Sequence, residues 1–212
     1  MKIKICGITR YEDARAAVSF GVDALGFIFH PKSPRYISPA DAAEITRKLP
    51  PYVSKVGVFV DENPRRVLEI AGHAWLDTIQ LHGSEPPEYC ASLPLPVVKV
   101  FSVNDDFNVS AISAYNKSVA GCLLDTWDSE RHGGSGRTFD WSAAIRACEI
   151  CDTVILSGGL GPTNIREAIE TVRPYAVDVN SGVEVKPGVK NPYKMKEVIS
   201  IVRGYTKGAH SF

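Results

Sequence analysis

Met1-Lys-Ile-Lys-Ile-Cys6-Gly-Ile-Thr9 reads as a strand that delivers a thiol to its own end and turns at once into a helix. Ile3 and Ile5 alternate with Lys4 and Cys6, so one face of the strand is apolar and the other carries an amine and a thiol. Thr9 and Glu12 have the spacing of a capping box, which predicts a helix start close behind Cys6. The C-terminal end of a strand, just ahead of a helix, is where α/β folds place their chemistry. A lone cysteine is more often a small buried hydrophobe, so the rest of the chain decides its meaning.

Outward from this stretch, short β-branched runs recur at Ile3–Cys6, Ala24–Phe29, Val53–Val60, Thr78–His82, Val97–Val103, Val119–Asp125, Thr153–Ser157 and Ala176–Val179. Between them lie helix signals. Ser38-Pro39, Asn63-Pro64 and Asn191-Pro192 each put a capping residue before a proline suited to the first helical position. Gly161-Pro162 and Asp140 mark two more starts, and Gly21 and Gly72 suit helix C-termini. The weakest helical signal is in Asp105–Lys117. Eight βα units in 212 residues predict one (β/α)8 TIM barrel spanning residues 1–212. A doubly wound sheet is the alternative, and eight strands with no extra element favour closure.

Lys plus Arg and Asp plus Glu stand at 24 each, a formal net charge of zero. That argues against a nucleic-acid partner or an anionic membrane, either of which calls for a basic excess. No apolar run approaches a membrane span, and no signal-peptide core is present. Five cysteines without a regular framework point to a reduced, cytoplasmic setting.

In a barrel the C-terminal strand ends converge on one site. Those ends are Cys6, His30, Asp61, His82, Ser102, Asp125, Ser157 and Asn180. Cys6 and Asp125, on strands one and six, can act as a base and acid pair on one small substrate. In isolation Asp125 reads equally well as a turn cap. The 13-residue loop Thr126–Thr138, with Trp127, follows it, and a loop of that length in a compact barrel is commonly functional. Gly158 and Gly159 follow strand seven, and Asn180, Ser181 and Gly182 follow strand eight. Small residues on these two loops suit a phosphate held by backbone N–H groups; two tight turns are the simpler reading. Arg35, on the proline-stiffened Pro31–Tyr36 loop, suits a carboxylate ligand or is a solvated surface residue. His82 faces inward, lining a pocket or satisfied in the core. Lys4 shares a strand face with Cys6, and Asp178 shares one with Asn180. Closure brings the first and last strands together, so a buried Lys4–Asp178 ion pair under the substrate is expected, its ammonium favouring the Cys6 thiolate. Lys4 snorkelling to solvent is the alternative. Cys148 and Cys151 form a C-x-x-C without a partner at zinc spacing, so no metal site is expected.

Lys4-Ile-Cys-Gly-Ile-Thr9, Gly26-Phe-Ile-Phe29, Ser33-Pro-Arg35, Val56-Gly-Val-Phe-Val60, Gln80-Leu-His-Gly83 and Leu124-Asp125 occur in that order. Gly133-Gly-Ser-Gly136, Phe139-Asp-Trp141, Ser157-Gly-Gly-Leu160 and Ser181-Gly-Val-Glu184 follow. Together they resemble the phosphoribosylanthranilate isomerase family of tryptophan biosynthesis over nearly the whole chain. The resemblance implies a cofactor-free Amadori rearrangement of N-(5-phosphoribosyl)anthranilate to 1-(o-carboxyphenylamino)-1-deoxyribulose 5-phosphate; the sequence itself leaves monomer and homodimer open. The resemblance implies Asp125 as general acid, Cys6 as general base and Arg35 on the anthranilate carboxylate; His82 and Asp178, inward by strand parity, are expected as further substrate contacts. Gly158, Gly159, Asn180, Ser181 and Gly182 would cradle the phosphate. A histidine-pathway sugar-phosphate isomerase would carry a carboxylate where Cys6 stands. A non-catalytic or other sugar-phosphate-binding barrel would not need both Cys6 and Asp125.

Overall fold

The computed structural model describes residues 1–104, 106–126 and 141–208, with side chains to residue 205. Eight parallel strands close into a barrel in chain order: β1 (Lys2–Ile5), β2 (Ala24–Ile28), β3 (Ser54–Phe59), β4 (Thr78–Leu81), β5 (Val97–Val103), β6 (Gly121–Thr126), β7 (Val154–Leu156) and β8 (Ala176–Val179). Closure is direct, with Lys2, Ile3, Lys4 and Ile5 opposite Ala176, Val177, Asp178 and Val179. The helices are α1 (Tyr11–Ser19), α2 (Pro39–Thr46), α3 (Pro64–His73), α4 (Pro87–Ala91), α5 (Ser142–Ile150), α6 (Ile165–Val172) and α7 (Pro192–Gly208). Between β5 and β6, where the helical signal is weakest, stands a 3-10 helix, Val109–Tyr115. After β8 come a 3-10 turn, Ser181–Val183, and a hairpin of β9 (Glu184–Lys186) and β10 (Val189–Lys190).

Strand parity builds two environments. Ile3, Ile5, Leu25, Phe27, Ile79, Leu81, Leu124, Leu156, Val177 and Val179 are buried in the layer shared with the helices. Val98, Val100 and Leu123 form a separate cluster, with Ile155 against it, filling the barrel interior. The same alternation turns Lys4, Cys6, Gln80, Asp125 and Asp178 inward.

Local signals explain most helix starts. The Ser38 hydroxyl accepts from Asp41 N, Asn63 Oδ1 accepts from Arg65 N, and Asn191 Oδ1 accepts from Tyr193 N and Lys194 N. Gly21, at φ +91°, ends α1 as its position predicts. Three expectations are corrected. Thr9 does not cap α1: Arg10 is the N-cap, and the Thr9 hydroxyl donates to the Gly188 carbonyl on the β9–β10 hairpin. Gly72 lies inside α3, and Trp75, at φ +52°, takes the left-handed turn after that helix. α6 starts at Ile165 rather than at Gly161-Pro162, because Asn164 folds back to accept from Gly161 N and donate to the Gly159 carbonyl. Trp127, Gly133–Gly136 and Asp140 lie outside the described residues.

Candidate active site

A cavity opens at the C-terminal end of the barrel. Cys6, Gln80, His82, Asp125, Asp178, Asn180 and Ser181 line it, with Ser33 and Arg35 from the loop after β2 and Ser157–Leu160 from the loop after β7. Ile28, Val58 and Leu123 supply apolar wall. Of the strand-end residues singled out from sequence, His30, Asp61 and Ser102 are not in this wall. Asp61 serves its own turn, its Oδ1 accepting from Ser84 N at 2.6 Å.

Lys4 and Asp178 face each other in register across the β1–β8 seam. Nζ of Lys4 donates to Asp178 Oδ2 at 2.6 Å, and both side chains are buried. The expected ion pair is present. Burial opposes the Lys4 charge, but Asp178 and Cys6 outweigh it and the ammonium is held above its usual range. For Cys6 the balance differs from the expectation. Burial pushes the thiol up and Asp178 adds to that; Lys4 and Lys190 pull it down without cancelling the rise. The resting group is the thiol. A glycine makes room for the pair: a Cβ on Gly26 would meet Cys6 Sγ at 2.7 Å and Lys4 Cε at 2.9 Å, contacts that force displacement.

Asp125 ends β6 with Oδ1 accepting from Thr126 N at 2.9 Å. Burial and then the Asp178 charge lift its carboxyl to about 6, against smaller opposing effects from the Thr126 N–H and Lys4. Its Oδ2 stands 3.7 Å from His82 Nε2. A carboxyl raised by burial and a thiol raised by burial thus line one cavity, an arrangement suited to acid and base chemistry.

Arg35 lines the cavity but is not a free clamp. Its Nε and Nη2 donate to Glu184, at 2.8 Å for Nη2–Oε2, and both side chains are buried. Lys190 reaches the same carboxylate, Nζ donating to Glu184 Oε1 at 2.8 Å and to Asn180 Oδ1 at 2.9 Å. Burial favours the neutral acid, yet the Arg35 hydrogen bond and Lys190 charge hold Glu184 below its ordinary range. Lys190 and the pairing role of Glu184 are the parts of the site that sequence reasoning missed. They come from a hairpin beyond the last strand, where no periodicity points at the barrel.

Gly158 and Gly159, at φ +88° and +63°, adopt the left-handed backbone that glycine tolerates. They line the cavity beside Ser157 and Ser181. Gly182 sits behind that wall: its Cα packs on the Leu160 carbonyl, which an added Cβ would strike. The loops after β7 and β8 are thereby pressed together, a backbone-rich corner suited to an anion. Cys148 and Cys151 lie at the end of α5, and among the described residues no three His, Cys, Asp or Glu side chains are grouped to hold a metal ion.

The family model described as N-(5′-phosphoribosyl)anthranilate (PRA) isomerase matches residues 3–201. The N-(5′-phosphoribosyl)anthranilate isomerase of Geobacter sulfurreducens is 46% identical over 205 residues, covering 97% of this chain and 100% of that protein. The crystal structure of the Thermotoga maritima enzyme superposes with a TM-score of 0.90 at 45% identity, over 96% of this chain and 99% of that one. A phosphoribosylanthranilate isomerase crystallised with reduced 1-(o-carboxyphenylamino)-1-deoxyribulose 5-phosphate superposes with a TM-score of 0.87 at 43% identity, over the same shares of the two chains. Matched along nearly its whole length in sequence and in backbone, the chain belongs to the N-(5′-phosphoribosyl)anthranilate isomerase family.

Proposed function

We propose that this chain, acting as one unit over residues 1–212, converts N-(5-phosphoribosyl)anthranilate to 1-(o-carboxyphenylamino)-1-deoxyribulose 5-phosphate for tryptophan synthesis. The observation that carries the reading is the raised Asp125 carboxyl facing the Cys6 thiol in one cavity. Asp125 protonates the ribose ring oxygen and opens the ring to a Schiff base. Cys6 then takes the C2 proton, and the enolamine tautomerises to the ketone. Asp178 supports binding, since it lines the cavity and its buried Oδ1 has no hydrogen-bond partner. Arg35, anchored by Glu184, presents its outer edge to the anthranilate carboxylate. The corner of Gly158, Gly159, Asn180, Ser181 and Gly182 takes the phosphate. The direct test is loss of anthranilate-adduct fluorescence on substrate generated enzymatically; absence of turnover would reject the activity.

The reactive form needs Asp125 protonated and Cys6 ionised. It contains the same number of protons as the resting form, in which Asp125 is ionised and Cys6 is not. Hence kcat/KM should be flat between the two ionisations and fall below about 6, the Asp125 value. The upper limb should lie above the ordinary thiol value of 9.0, since Cys6 is raised. A profile peaking below pH 6 contradicts this assignment.

Ser181→Asp places a negative charge in the anion corner and should raise KM at least 10-fold with a smaller change in kcat, as expected when a binding contact to phosphate is lost. Inorganic phosphate should compete with substrate in the parent. Phosphate inhibition that is absent or not competitive would put the phosphate elsewhere.

For assembly, the Thermotoga maritima relative is dimeric. Tyr52, Trp75 and Tyr175 are exposed here on the loops entering β3, β4 and β8, at the end of the barrel opposite the cavity. These exposed aromatic rings are suited to burial against a second copy, which favours a homodimer over a monomer.

A further inference from the structure

Lys190 is 2% exposed, and it is not among the residues that line the cavity. Its Nζ donates to Glu184 Oε1, Asn180 Oδ1 and the Asn180 carbonyl, the last at 3.3 Å. Three acceptors use three N–H donors, which only the ammonium provides. Its backbone N–H is fixed as well, donating to the buried Asp13 Oδ2 on α1 at 3.0 Å. Through Asn180 the ammonium reaches the thiol's own turn. Gly7, at φ +70°, packs so closely that a Cβ there would meet Asn180 Oδ1 at 2.7 Å and Arg35 Cδ at 2.9 Å. Cys6 itself donates its backbone N–H to the Val179 carbonyl at 2.9 Å.

Around Cys6 stand the cations Lys4, Arg35 and Lys190 and the carboxylates Asp178, Glu184 and Asp125. Lys4 from β1 and Asp178 from β8 form a closed pair. Arg35 and Lys190 share the single carboxylate of Glu184, so two cations meet one anion on that side of the thiol. Asp125 and His82 face the thiol from across the cavity. Two cations on one buried carboxylate are costly, and the second, Lys190, is one hydrogen bond from Asn180, the residue packed on the Cys6–Gly7 turn.

We propose that Lys190 is a positioning residue for this reaction: from behind the cavity wall it supplies the counter-charge to the Cys6 thiolate and holds the Asn180 turn against Gly7. The inference rests on the proposed role of Cys6 as base, and the experiment reads the thiol itself. Iodoacetamide labelling of Cys6, followed against pH by mass spectrometry of its peptide, gives the thiol's titration midpoint with no substrate present. Lys190→Gln keeps a donor for Asn180 but removes the charge, and should raise the midpoint by about one pH unit or more. Lys190→Arg keeps the charge and should leave it near the parent value. Glu184→Gln removes the neutralising carboxylate and should move the midpoint the other way. A folded Lys190→Gln protein with the parent midpoint overturns the proposal. If that variant does not fold, Glu184→Gln decides alone: a midpoint unmoved or raised overturns it. The alkaline limb of kcat/KM should follow the same shifts. Turnover lost with the midpoint unchanged leaves Cys6 as base and removes Lys190 from its support.

Discussion

Cys6→Ala should lower kcat by roughly 10²–10⁴-fold with little change in KM, the range expected when a positioned proton acceptor is removed. The C2 proton becomes acidic only in the Schiff base, so the thiol acts almost entirely in the transition state. Asp125→Asn keeps the shape of the acid and removes its proton, and should lose turnover by a similar factor while still binding a product analogue. The double variant should be little worse than either single one, because base and acid serve one reaction sequence. Asp125→Asn carries a second signature. A folded-state carboxyl raised from 3.8 to about 6 contributes stability that is complete below the unfolded value and lost as pH rises through 6. At pH 8 the ionised carboxylate costs on the order of 2–3 kcal/mol, and the asparagine variant should recover much of that cost. Denaturant melts at pH 5 and pH 8 measure it; a variant no more stable than the parent at pH 8 would show that burial does not govern this carboxyl.

Lys4→Met should cost roughly 3–5 kcal/mol of stability, the usual penalty for stranding one member of a buried ion pair. The Lys4 and Asp178 side chains are only 7% and 4% exposed, so little solvent reaches the carboxylate that is left behind. Asp178 Oδ1 already has no hydrogen-bond partner, and the variant leaves Oδ2 without Lys4 as well. The Cys6 thiol loses a cation too, so the pH at which labelling and the alkaline limb appear should rise. The double variant Lys4→Met, Asp178→Leu removes both charges and should regain much of the stability without regaining activity. Equal stability of Lys4→Met and parent in urea would mean the pair is energetically neutral.

The parts of the fold that were legible in the sequence are those whose cause is local. Alternation in Lys2–Cys6 assigns faces because a strand has a period of two, and the same parity foretold that Lys4 meets Asp178. Ser38, Asn63 and Asn191 cap helices whose first residue is proline, a signal contained in two residues. Where a distant partner competes, the local sign fails. Thr9 has the right spacing for a cap, but the Gly188 carbonyl, 179 residues on, takes its hydroxyl. Arg35 looked like a free guanidinium because Glu184, its bidentate partner, lies 149 residues away. Lys190 gave no sign at all: a lysine in a short polar hairpin reads as solvated until the fold buries it.

The seam between β1 and β8 has a consequence for how function is acquired. Lys4 and Asp178 are 174 residues apart, and the Cys6–Gly7 turn is held by the Val179 carbonyl and packed by Asn180, both from the far end of the chain. Bringing such remote segments together is entropically the most expensive kind of contact and among the slowest to form. The ring clasps beside the cavity that Cys6 and Asp178 line. With Cys6 as the proposed base, no partial barrel holds the thiol against its partners from the last strand, so activity should arise only with the final stave and report that the whole ring has shut.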